Sequence, residues 1–138
     1  MASDQLENSI ITRLIDGNGY LMSPDATYYV SLHTADPGDT GTNELSSTNG
    51  YARKSYTTSG GWNAASGGST SNNGSITFAA ASGGDWSTGT HFGVWNNSAG
   101  TSANFMLGGA LTSSVTCTDG DAVQFLGGTP GALVITCT

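Results

Sequence analysis

His33, Asp36, Asp39 and Glu44 fall within one stretch, YYVSLHTADPGDTGTNELS over residues 28–46. An imidazole and three carboxylates in so short a span have the composition of a metal site or an acid–base site. A calcium loop needs oxygen ligands at alternate positions closed by a bidentate glutamate. The intervals between Asp36, Asp39 and Glu44 do not keep that rhythm. Turn chemistry accounts for the same residues: Asp36 and Asp39 form turns, Pro37 presets the first turn dihedral, and Gly38 takes the positive φ. The expectation is that no metal or cofactor is held here, with a calcium ion beside Asp36 and Asp39 left as the minor alternative.

Elsewhere the chemistry is sparse. His91, in GTHFGVW, sits on a strand pattern beside Phe92 and reads as a structural histidine bonded through its ring nitrogens. Neither histidine has a visible catalytic constellation around it. There is no Gly-x-Ser-x-Gly elbow, phosphate loop or dinucleotide fingerprint. The glutamates are Glu7 and Glu44, and nothing points to a glycosidase pair built from aspartates. The chain is therefore expected not to be an enzyme. Cys117 and Cys137 are too far apart for a CxxC motif and too few for a zinc site. They read as small buried thiols, with a disulfide as the lesser alternative.

Three tryptophans remain. Trp95 ends a strand pattern and reads as core. Trp62 and Trp86 lie among glycines and serines, which suits covers over a sheet edge, contacts with a partner subunit, or stacking platforms for a sugar ring.

The composition decides which elements could position such residues. Of 138 residues only 9% are charged, against about 25% in an average domain. Polarity comes from hydroxyls and amides, and there are 21 glycines. Thr, Val, Ile and aromatics suit a pleated surface, while Gly, Asn and Asp supply turns. The net charge is −7, with Arg13, Arg53 and Lys54 as the only cationic side chains. Nucleic acid and anionic membrane surfaces are excluded as partners, since both need cations to displace counterions. The polar start MASDQLENS carries no signal-peptide pattern, and no apolar run reaches the roughly 20 residues of a membrane span. A chain made in a cytoplasm and soluble there is expected.

Residues 3–16 predict one helix, with Leu6, Ile10 and Leu14 on a stripe, Asp4 as cap and Glu7 closing a capping box. Gly17 and Gly19 stop it. Next, ATYYVSLH over 26–33 alternates, with Tyr28, Val30 and Leu32 on one face and Tyr29, Ser31 and His33 on the other: a half-buried strand. A long irregular connection follows to Gly50. YARKSYT, SITFAA, THFGVWN, NFMLGGALT, SVTCT, AVQFL and ALVITCT read as further strands. Between them SGGWNAASGGSTSNNG is Gly/Ser-rich but pinned by Trp62. The predicted fold is mainly β: an antiparallel, jelly-roll-like β-sandwich of about eight short strands with one N-terminal α-helix. Residues 1–19 form the helix and its connection, and 20–138 the sandwich.

The order YVSLHTADPGDTGTNELS, GYAR, a tryptophan, ITF, DWSTGTHFGVWN, GALT, GDAVQF resembles a family of small tailed-bacteriophage virion proteins, commonly labelled tail fibre or phage structural proteins. The resemblance spans residues 28–135, and LHTADPG is its most specific piece. It supplies no catalytic residues. It implies that Leu32-to-Gly38 is a strand end with a specified turn, with His33 and Asp36 bonded across it. The expected function is an oligomeric surface module of the virion, a trimer acting as capsid decoration or cement and contacting the major capsid protein. The alternative is a tail fibre or a receptor- or glycan-binding tail component, with a host surface glycan as partner. Leu6, Ile10, Leu14, Asp36, Asp39, Glu44, Trp62 and Trp86 are the candidate interface residues.

Overall fold

In β1 (Thr27–His33) the alternation TYYVSLH places Tyr28, Val30 and Leu32 in the core, as the pattern requires. The other face is not open, however. Ser31 and His33 are fully buried, so both faces of the strand are covered at its C-terminal half. The structure is a computed structural model, and it describes residues 2–3, 6–8, 27–57 and 61–136.

The remaining strands are β2 (Lys54–Thr57), β3 (Ser69–Ser71), β4 (Ile76–Thr77), β5 (Trp86–Trp95), β6 (Phe105–Cys117), β7 (Gln124–Phe125) and β8 (Val134–Thr136). They form a four-stranded antiparallel sheet in the order β2-β1-β5-β6 and two ribbons, β3-β8 and β4-β7. Tyr28, Val30, Leu32, Phe92 and Val94 from the sheet meet Ile76, Phe78, Phe125 and Leu133 from the ribbon regions in one core cluster, a sandwich-like arrangement. Aromatic edges organise it: Trp86 lies edge-on to Tyr51 at 5.3 Å, and Phe78 edge-on to Phe125 at 6.3 Å.

The mainly β expectation is met, with eight strands among the described residues, but two details differ. NFMLGGALT and SVTCT are one strand of 13 residues, broken in register. His91 pairs with Ala110 and Gly89 with Val115, so four residues of β6 stand opposite one of β5. Such a bulge bends an edge strand away from further pairing. Ser69–Ser71, inside the Gly/Ser-rich segment, is also a strand. Hydroxyl-rich sequence hides it, because Ser71 is buried for its hydrogen bonds and not for apolar area.

At the N-terminus residues 6–8 form a helical turn. Ser3 Oγ accepts from the Leu6 N–H at 3.3 Å, as a cap does; Asp4, the expected cap, lies outside the described residues. Ser3 is itself locked to β6, donating its N–H to the Met106 carbonyl at 3.0 Å and its hydroxyl toward the Phe105 and Met106 carbonyls. The rest of the predicted helix, with Ile10 and Leu14, lies outside the described residues, as does Cys137.

Candidate functional site

The covered face of β1 carries the densest polar chemistry described in the chain. Ser31 and His33 are two residues apart, so the pleat points both the same way. Their atoms meet, with Ser31 Oγ 2.7 Å from His33 Nε2. The neighbours fix the proton positions. His33 Nδ1 lies 2.6 Å from the Thr42 carbonyl, which can only accept, so Nδ1 carries the hydrogen. Trp95 Nε1–H donates to Ser31 Oγ at 2.7 Å, which leaves the Ser31 proton for Nε2. The result is a directional chain, Trp95 to Ser31 to His33 to Thr42, satisfied only with a neutral imidazole. Burial accordingly pulls the His33 pKa below its ordinary value. The Thr42 carbonyl and Glu44 oppose this, and Arg53 and His91 add to it.

A serine against a histidine whose other nitrogen is held by an acceptor is also the outline of a nucleophile–base pair. Here both side chains are 0% exposed. His33 stacks parallel to Trp95 at 6.3 Å between ring centres and meets Phe105 edge-on. Gly93 closes the remaining side: a Cβ there would lie 2.6 Å from His33 Nε2 and 2.7 Å from Ser31 Oγ. The pair is a structural bond.

Above it sits a second junction. Arg53 Nη2 donates to Glu44 Oε2 at 2.7 Å and Arg53 Nε to Oε1 at 2.9 Å, the two-pronged geometry that guanidinium favours. The same guanidinium donates to the Asn97 and Gly100 carbonyls and lies 3.4 Å over the Trp95 ring. Tyr51 hydroxyl lies 3.3 Å from Glu44 Oε1 and accepts from the Leu32 N–H at 2.9 Å; burial drives its pKa well above the usual phenol value. An open pocket of ≈ 390 Å³ lies at this junction, lined by Glu44, Leu45, Ser47, Tyr51, Arg53 and Ala99 among others. The charged atoms that line it are spent on one another.

The loop after β1 is built as turn chemistry predicts. Asp36 Oδ1 accepts from the Gly38 N–H at 2.9 Å, and Gly38 has a φ of 58°. Asp36 and Asp39 are exposed. The bond between His33 and Asp36 does not form, because the imidazole points inward to Thr42 and Asp36 is spent on its own turn. Pro37 is buried in contact range of Gly108, where a Cβ would lie 2.5 Å from its ring. Among the described residues no three His, Cys, Asp or Glu side chains are grouped to hold a metal ion.

The other expected contacts separate. Trp86 is buried, 7% exposed, and its indole donates to the Asn49 carbonyl at 2.8 Å, so it is core and not a surface contact. Trp62 is half-buried and edge-on to Tyr56 at 5.6 Å. Tyr56 hydroxyl pins the Gly61 and Gly74 backbone around it. Leu6 is half-buried. Among the described candidates, Glu44 is the one that joins the junction. His91 Nδ1–H donates to Thr90 Oγ1 at 2.8 Å, and that hydroxyl donates on to the Thr34 carbonyl. Cys117 is a buried free thiol bonded to the Asp121 carbonyl. Arg53, Tyr51, Thr42 and Ser31 were not singled out by sequence. The signals were a serine two positions before His33 and an arginine in a chain with only three cationic side chains.

Residues 1–133 match the family model described as Podophage GP4 fiber I protein gp80, and the chain belongs to that family. No curated protein matches it. The family makes this a phage structural protein of the fibre type. It favours the tail-fibre alternative and gives no support to capsid decoration or cement.

Proposed function

From membership of the podophage fiber I family, we propose that this chain is a fibre subunit of the virion, acting through assembly and not through catalysis. The match over residues 1–133 is the observation that carries this reading. The geometry supports it, because the one serine–histidine pair at the junction is sealed and fully bonded. Among the described residues no helix is long and apolar enough to cross a membrane.

The subunit works as a homo-oligomer, a trimer, contacting other virion proteins over about 1,200–2,000 Å² per stable interface. A surface poor in charge leaves few ions to be stranded when neighbours close. A host surface glycan is the partner of the second reading, with Trp62 as its platform, since Trp62 is the candidate tryptophan that reaches the surface. Mass spectrometry of gradient-purified particles tests the first reading, together with light scattering of the isolated chain. The expected result is the chain in intact particles and a trimer in solution. Its absence from particles would overturn the reading.

A further inference from the structure

We propose that the Trp95–Ser31–His33–Thr42 chain is an acid-sensitive latch that holds the loop over residues 34–45 against the sheet. The inference concerns regulation and stands whether or not the chain is a fibre subunit.

Within the loop Thr34 N–H donates to the Asn43 carbonyl at 2.9 Å. Its ties to the rest of the fold include Leu45 N–H to the Leu32 carbonyl at 2.9 Å, Thr90 Oγ1–H to the Thr34 carbonyl at 2.9 Å, the Glu44–Arg53 pair at 2.7 Å, and the His33 ring on the Thr42 carbonyl at 2.6 Å. Of these bonds, the one to Thr42 is made by an imidazole, the side chain whose ordinary pKa lies near neutrality.

A proton can enter only at Nε2, since Nδ1 already carries one. Ser31 Oγ must then accept from His33 as well as from Trp95, and its own hydrogen loses its acceptor. An unpaired buried hydroxyl and a desolvated cation are both costly. The charged and titratable groups facing the ring do not compensate. Glu44 from the loop is paired at 2.7 Å with Arg53, which precedes β2 and repels an imidazolium. His91 on β5 repels it too. The other ring neighbours, the Trp95 and Phe105 side chains, carry no nitrogen or oxygen acceptor for the displaced hydroxyl hydrogen. Lifting the loop parts Thr42 from the ring and admits water, which solvates the cation. Acid therefore favours the open loop.

The magnitude follows from linkage. With a free histidine near pKa 6.5 and a closed state that resists protonation, the opening equilibrium rises between pH 7.5 and 5.0 by up to roughly thirtyfold, the limit in which the closed ring takes no proton.

The test is hydrogen exchange by mass spectrometry on the full chain at both pH values, corrected for intrinsic exchange. Peptides over residues 34–45 should lose protection by up to that factor, while β5 peptides hold theirs. His33→Asn keeps a donor toward Thr42 but cannot titrate, so its loop should be equally protected at both pH values. A wild-type loop indifferent to pH, or the same loss in His33→Asn, would overturn the latch. Should that variant not fold, the wild-type His33 ring resonances decide. Protonation in step with loop exchange supports the proposal, and protonation with the loop still protected refutes it.

Discussion

Arg53 lies over Trp95, its guanidinium carbon 3.4 Å from the ring centre, while the indole N–H of the same residue donates to Ser31. One tryptophan thereby couples the outer ion pair, Glu44–Arg53, to the buried chain that ends at Thr42. The long loop, the β5–β6 loop and β1 converge on it. Of the residues that resemble chemistry in the sequence, His33 and Glu44 are consumed in holding this convergence together.

Ser31→Ala should destabilise the chain by about 1–3 kcal/mol, because Trp95 Nε1–H and His33 Nε2 both lose their partner in a buried site. Urea unfolding measures this. Fluorophosphonate probes should leave native Ser31 unlabelled, and labelling in the folded state would restore the nucleophile reading.

The Glu44–Arg53 pair should be worth more than a surface pair. The side chains are 21% and 9% exposed, and removing one partner strands the other. Arg53→Ala should cost about 2–4 kcal/mol. Arg53→Lys should recover little, since an ammonium cannot span the carboxylate and two carbonyls at once. A double-mutant cycle with Glu44→Ala isolates the coupling.

Two glycines make an internal control. Gly93→Ala drives a methyl into His33, Ser31 and Phe105 and should cost about 3 kcal/mol or more. Gly38→Ala meets nothing within 4 Å and carries only the penalty of its positive φ, about 1–2 kcal/mol. Similar losses at both sites would show that the space beside His33 is not filled.

Stability should fall in mild acid. His33 has a lowered pKa in the folded chain, so just below the free value of about 6.5 the unfolded chain binds more protons. Its contribution is fully present above that value and is lost as pH falls through it. Thermal unfolding of wild type minus His33→Asn should show this slope, because other titrating groups cancel in the difference.

The β class and most strands were legible because period-two alternation survives wherever one face meets the core, as in Tyr28, Val30 and Leu32. The turn at Asp36-Pro37-Gly38 was legible for the same local reason. The sealed side of β1 was not. Ser31 and His33 look like a solvent face by type, and Gly93, Trp95 and Phe105, all distant in sequence, close over them. The Arg53 junction was equally hidden, since it joins residues 44, 53, 95, 97 and 100 through loops whose approach no local pattern encodes. Trp86 misled because its flanking glycines and serines suggest surface, whereas its indole spans from the core to the Asn49 carbonyl.

The N-terminal segment should matter for assembly more than for folding. Ser3 pins residues 2–3 along the Phe105–Leu107 edge of β6, outside the main core cluster. Removing residues 1–16 should leave the circular dichroism of a β protein and lower the oligomer mass in light scattering. An unfolded truncation would place the segment in the folding core instead.

The most direct measurement is immunogold electron microscopy of intact particles with an antibody against this chain. The fibre account predicts gold on the tail and its appendages. Gold distributed over the head, with the tail bare, would contradict it.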